Sequence, residues 1–231
     1  MRDDICTIPV SEVFEHNDGC PICRMRDTIE ERMTDYILGD AMMEPDVRIE
    51  TNKTGFCEHH YNNMMSRRGR LQLALMLQTH INEINGEIFK KKLFNTDSKK
   101  TGNAKNITDS CFICSKIEWG LSRMIETVYR CYETQKDFRD MFNSQSMFCL
   151  PHYERLLGGA SKRNMKSYYP EFSENLNRIT GEYSKSLYDD LSKYCTMYDY
   201  RSRDGETDWG NSREAVERTV AFLNGRIYDV Y

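Results

Sequence analysis

The chain has 231 residues, 39% hydrophobic and 29% charged, enough for one large or two small domains and too apolar for general disorder. A formal net charge of −4 and a pI near 5.8 argue against a dedicated nucleic-acid binder held by phosphate contacts. No run approaches the ~18 unbroken apolar residues of a membrane span. The start, Met1 to Cys6, lacks the basic head and apolar run of a signal peptide, so a cytoplasmic setting is expected.

In chain order, residues 8–17 read as a short helical lead-in, with Pro9 early, Ser11 as a possible cap and His16 at the surface. From Cys23 to Leu38, Met25, Ile29, Met33 and Ile37 recur every fourth residue, which predicts a helix stopped at Gly39. Residues 39–55, with Gly39, Pro45, Asn52 and Gly55, read as an irregular connection. Cys57 opens another helix, broken at Gly69. A long helix then carries Leu73, Leu77, Ile81, Ile84 and Ile88 on one face, up to Phe94. Residues 95–110 are almost free of apolar side chains and read as a mobile linker.

The second half replays the first. Cys114 leads into a helix with Ile117, Leu121, Met124, Ile125 and Val128 on one side. Cys149 opens a short helix ended by Gly158 and Gly159. Pro170 begins a long one carrying Phe172, Leu176, Ile179, Tyr183, Leu187 and Leu191. Tyr200 to Gly210 reads as a loop. Asn211 with Glu214 caps a last helix through Val216, Val220 and Leu223, which has no counterpart in the first half. No strand signal occurs. The expected fold is all-α: a first repeat over 1–94, a linker over 95–110, and a second repeat with the C-terminal helix over 111–231.

The repeat is marked by cysteine and histidine. Cys20-Pro21-Ile22-Cys23 is followed by Cys57-Glu58-His59-His60, and Cys111-Phe112-Ile113-Cys114 by Cys149-Leu150-Pro151-His152. The patterns are Cys-x2-Cys-x33-Cys-x2-His and Cys-x2-Cys-x34-Cys-x2-His. Six of the nine cysteines fall in these motifs, and in a reducing compartment pairs at this spacing bind metal rather than forming disulfides. Cys6, Cys131 and Cys195 are left over and are expected to be small buried residues. Zinc takes four tetrahedral ligands from thiolate and imidazole, and side chains three apart at a helix start share a face. The expected ligands are Cys20, Cys23, Cys57 and His60 for one zinc ion, and Cys111, Cys114, Cys149 and His152 for the other.

Grouping within each copy is favoured because the shorter loop closes more easily. The alternative puts Cys20, Cys23, Cys111 and Cys114 in one cage and the remaining four in another. His60 rather than His59 is the ligand, because only the third position after the cysteine is shared with the second copy. His59 is left as a supporting or exposed group. Helix N-termini facing the sites would stabilise the net negative charge of one zinc and three thiolates.

Other features carry less. His80, Glu83 and Glu87 share a helix side, which reads as a solvated or hydrogen-bonded face rather than a di-iron site. Arg67, Arg68 and Arg70, and Lys90 to Lys92, read as solvated basic surface, and Trp119 and Trp209 as packing. Four functions fit the motifs. The favoured one is a non-enzymatic protein with two structural zinc ions that offers a helical surface to a protein partner, because a closed four-ligand site has no open position for substrate. An iron–sulfur or redox protein could use the same ligands, though the tight cysteine triplets of cluster motifs are missing. A nucleic-acid-binding zinc module and thiol–disulfide exchange are further alternatives; the latter lacks a βαβ context.

The doubled Cys-x2-Cys and Phe-Cys-x2-His pattern, with Phe56-Cys57 and Phe148-Cys149, resembles an uncharacterised family of bacterial proteins. That family occurs mainly in anaerobic, clostridium-like organisms. The likeness extends to Trp209 and the Ala215 to Gly225 tail. It implies a bacterial, cytoplasmic setting and carries no activity over.

Overall fold

The computed structural model describes residues 7–89, 96–161, 165–198 and 208–225. Among the described residues there are eleven α-helices and no strand. They are α1 (Thr7–Phe14), α2 (Pro21–Leu38), α3 (Pro45–Thr54), α4 (Glu58–Ser66), α5 (Arg70–Ile84), α6 (Asp97–Thr108), α7 (Phe112–Thr134), α8 (Lys136–Asn143), α9 (Leu150–Gly159), α10 (Tyr169–Tyr198) and α11 (Ala215–Asn224). No described helix is long and apolar enough to cross a membrane.

Two compact units result, and they cut the chain elsewhere than the tandem repeat does. One comprises residues 1–25 and 122–231, the other residues 26–121. Helices α2 and α7, which follow the two Cys-x2-Cys pairs, each belong partly to both.

The unit of residues 26–121 has its core where α2, α4, α5 and the first turns of α7 meet. Ile37, Ala41, Met64, Leu73, Met76, Phe112 and Ile113 are all buried there. The stripe expected on α2 is in place: Ile37 is buried, and Ile29 and Met33 pack against this core. Two segments differ from expectation. Residues 45–54 form α3, with Pro45 in the first turn where its missing N–H costs nothing. Residues 97–108 form α6, capped by the Thr96 hydroxyl, which accepts from the Lys99 amide. Neither helix shows an apolar stripe. Only Thr51 is buried on α3 and nothing on α6, so periodicity could not reveal them.

Helix α5 ends at Ile84 and continues as a π-turn over Asn85–Phe89. Of the expected stripe, Leu73 and Ile88 are buried and Leu77 packs against the core, while Ile81 is 53% exposed and Met76 and His80 are buried beside the stripe.

The unit of residues 1–25 and 122–231 is built on aromatic packing. Phe142 is fully buried, with ring centroids 4.9 Å from Phe148, 5.0 Å from Phe172, 5.1 Å from Tyr132 and 5.7 Å from Phe14. Helix α8, which supplies Phe138 and Phe142, was not anticipated. At eight residues it is too short for a helical period to be distinguished. Gln145 donates to the Phe14 carbonyl at 2.8 Å, and Asn17 donates to the Ser144 carbonyl at 2.9 Å, which fastens α1 beside α8. Helix α10 buries Phe172, Leu176, Ile179 and Leu187 as its period predicted.

On α11 the buried residues are Ala215 and Phe222. The expected stripe of Val216, Val220 and Leu223 lies outward at 41%, 39% and 49% exposure. Asn211 does not cap α11, because residues 210–214 form a 3-10 turn ahead of it. Trp209 packs against Tyr194 and Tyr198, whereas Trp119 is 64% exposed, against expectation. Cys131 is buried as expected, Cys195 is exposed, and Cys6 lies outside the described residues, as do Lys90 to Lys92.

Candidate metal centres

All four motif pairs are built alike. The amide four residues after the first cysteine donates to that cysteine's carbonyl: Arg24 to Cys20 at 3.3 Å, Tyr61 to Cys57 at 2.9 Å, Ser115 to Cys111 at 3.1 Å and Tyr153 to Cys149 at 2.8 Å. The first cysteine thus stands just ahead of a helix, and the third residue after it lies one turn along on the same face. The helices are α2, α4, α7 and α9, so each pair places its two ligand atoms at the positive end of a helix.

The eight expected residues gather into two groups, Cys20, Cys23, Cys149 and His152 in one and Cys57, His60, Cys111 and Cys114 in the other. Each group lies within a single unit. This corrects the grouping within copies, and it is not the Cys-x2-Cys with Cys-x2-Cys alternative either. The Cys-x2-Cys of each repeat meets the Cys-x2-His of the other.

Loop length was a poor guide because it acts weakly. A doubling of a flexible loop costs only about 0.6 kcal/mol, so closing Cys23 on Cys149, 126 positions away, adds little over closing it on Cys57. Rigid rods decide instead. Helix α2, 18 residues long, spans about 27 Å, and the following segment packs as α3 against α5.

The spacing inside each group suits one tetrahedral ion. Bonds of about 2.3 Å to sulfur and about 2.0–2.1 Å to nitrogen give edges of about 3.8 Å between sulfurs and about 3.6 Å between sulfur and nitrogen. In the first centre Cys23 and Cys149 Sγ are 3.6 Å apart. His152 Nδ1 stands 3.6, 3.3 and 3.1 Å from Cys20, Cys23 and Cys149. In the second, Cys57 and Cys114 Sγ are 3.8 Å apart. His60 Nδ1 stands 3.1, 3.3 and 3.5 Å from Cys57, Cys111 and Cys114. Disulfide sulfurs would be about 2.05 Å apart.

The electrostatics point the same way. Burial favours the neutral Cys111 thiol, but the bond with His60 outweighs it and draws the pKa down to about 6. Burial and the charge on Cys111 push its neighbour Cys114 well up. Burial opposes protonation of His60, yet the hydrogen bond with Cys111 and the Glu30 carboxylate beside the ring carry it up to about 10. In the other centre burial of Cys20 is outweighed by bonds from Cys149, Cys23 and His152, which hold it well below the usual thiol range. Bonding to Cys20 pushes Cys149 up to about 12. Without a metal, Cys111 and Cys20 are held as thiolates while Cys114, Cys23 and Cys149 beside them are pushed toward the neutral thiol. A dication relieves that conflict, so the donor set fits a metal.

The surroundings of the two centres differ. Cys114 is exposed, whereas Cys20 and Cys149 are buried. His59 does not face the sulfurs. Its Nε2 lies 2.6 Å from Glu30 Oε1, and the same oxygen is 3.2 Å from His60 Nε2. Glu30 escaped the sequence reading. Its signal was the internal repeat, since the position ten after Cys20 is Glu30 and the position ten after Cys111 is Leu121.

Two glycines also escaped. Gly55 has φ +58°, its carbonyl accepts from the Phe112 amide at 3.0 Å, and a Cβ there would lie 2.6 Å from His80 Nε2. His80 is the hydrogen-bonded histidine of α5, buried with Nδ1 2.7 Å from the Asn52 carbonyl. Gly225, with φ +68°, closes α11 over the first centre, where a Cβ would stand 3.1 Å from Cys149 Sγ. His16 is exposed, and Arg67 pairs with Asp35 at 2.5 Å.

Neither a curated protein nor a solved structure matches the chain. A family model described as "Family of unknown function (DUF6062)" matches residues 1–230. Spanning nearly its whole length, that match means that the chain belongs to this family.

Proposed function

We propose that this is a non-enzymatic zinc protein, cytoplasmic and bacterial, in which two structural ions fix a helical scaffold that meets a protein partner. The ligands of one ion are Cys20, Cys23, Cys149 and His152, and those of the other Cys57, His60, Cys111 and Cys114. The observation that carries the reading is that all four donor atoms of each group lie within 4.8 Å of one another. Four protein ligands complete the shell of zinc and leave no position for substrate, which favours a structural role. A cluster would interpose two or more irons between the sulfurs and spread them, whereas a single iron ion uses the same cage. The outward Val216, Val220 and Leu223 on α11 support a protein rather than a nucleic-acid partner, as does the net charge of −4.

Elemental analysis of native protein tests the reading. Two zinc ions per chain and a colourless solution are expected. Iron with visible absorbance would replace zinc by the iron reading, and less than one metal per chain would remove both.

A further inference from the structure

We propose that Glu30, backed by His59, is a positioning residue that holds His60 in its metal-binding orientation, a support the repeat does not copy. The inference rests on the metal reading above. If Nδ1 of His60 binds the ion, the neutral ring must carry its hydrogen on Nε2. That atom is fully buried, and a buried N–H without an acceptor costs about 1–3 kcal/mol. Glu30 Oε1 is 3.2 Å away, within ion-pair range though not yet in line for a hydrogen bond, so a small turn of ring or carboxylate completes it.

Glu30 is itself 8% exposed, and a buried carboxylate requires compensation. His59 provides it at 2.6 Å while keeping half of its own side chain in solvent. The three residues form a relay from ion to surface: His60 Nε2 to Glu30 to His59. The 2.6 Å separation suits a hydrogen bond and not a second ion, whose nitrogen and oxygen ligands would stand about 3.3 Å apart at tetrahedral angles. Partners of this kind fix the tautomer of a ligating histidine and raise its basicity, and losing one costs about 10–100-fold in metal affinity.

Since the counterpart of Glu30 is Leu121, the sequence itself offers a leucine that this repeat position accepts. The test uses the full chain loaded with two equivalents of zinc and titrated with a chromogenic chelator. Wild type, Glu30→Leu, Glu30→Gln and His59→Ala are compared, with helicity followed by circular dichroism. Glu30→Leu should weaken one of the two ions by about 10–100-fold and leave the other unchanged. Glu30→Gln keeps an acceptor and should fall between Glu30→Leu and wild type. His59→Ala should have the smallest effect, because the carboxylate remains.

Nitrogen-resolved NMR of zinc-loaded protein should show the His60 Nε2 hydrogen protected from exchange in wild type and losing that protection in Glu30→Leu. Wild-type affinities for both ions in Glu30→Leu would overturn the proposal. Equal weakening of both ions would also do so, since Glu30 would then serve the fold rather than His60. A wild-type chain that takes up no zinc would sink the metal reading, and this proposal with it.

Discussion

Substituting Gly55→Ala isolates the geometry that sets the second centre. Gly55 adopts φ +58° and ψ −152°, a region closed to side-chain-bearing residues, and holding alanine there costs on the order of 1–3 kcal/mol. The new Cβ would also stand 2.6 Å from His80 Nε2. That ring cannot retreat freely, because it is buried and its Nδ1 is tied to the Asn52 carbonyl at 2.7 Å. Overpacking of this kind adds roughly 1–3 kcal/mol. The total of about 2–6 kcal/mol falls on a segment that matters. The Gly55 carbonyl accepts from the Phe112 amide and the Thr54 carbonyl from the Ser110 hydroxyl at 2.7 Å, which holds the Cys111 strand of chain beside Cys57.

Chemical denaturation of zinc-loaded Gly55→Ala, His80→Ala and the double variant separates the two effects. The double variant should be less destabilised than the sum of the singles, by the share of the cost due to the clash. Zinc in the Cys57 centre should also pass to a chelator faster in Gly55→Ala. Additive single-variant costs would show that the close approach of Gly55 to His80 carries no energy, and the reasoning would fail.

The crossed grouping predicts that Cys23→Ser and Cys149→Ser each lose one metal ion and that the double variant loses the same single ion; loss of two would restore grouping within copies. In metal-stripped protein Cys111, lowered to about 6 from 9.0, contributes stability above its ordinary value that is lost as pH falls through 6. His60, raised to about 10 from 6.5, contributes below its ordinary value and loses this as pH rises through 10. Their thiolate–imidazolium pair should therefore populate the window between about 6 and 10, and ultraviolet thiolate absorbance that rises only near pH 9 would contradict it. Phe142→Ala removes a ring packed against four others and should cost about 3–5 kcal/mol by denaturation.

Much was legible from residues alone. The four motif pairs set the eight donors, because Cys-x2-Cys and Cys-x2-His place both side chains on one face of a helix start whatever the rest of the chain does. Periods of four gave α2 and α10 their buried faces. Helices α3 and α6 stayed hidden because they are polar nearly all round, and α8 because it is short. His59 could be set apart from His60 by comparing the two copies, but the residue that His59 contacts, Glu30, sits 29 positions away and shows itself only in space.

The pairing of the motifs was likewise decided by tertiary structure alone. Local spacing determines that two ligands converge, and says nothing about which other pair they meet. That choice depends on where rods such as α2 and α7 carry the chain. Rigid helices, unlike flexible loops, fix the end of a segment at a distance set by their length, and the chain here uses them to join each repeat's two cysteines to the other repeat's cysteine and histidine.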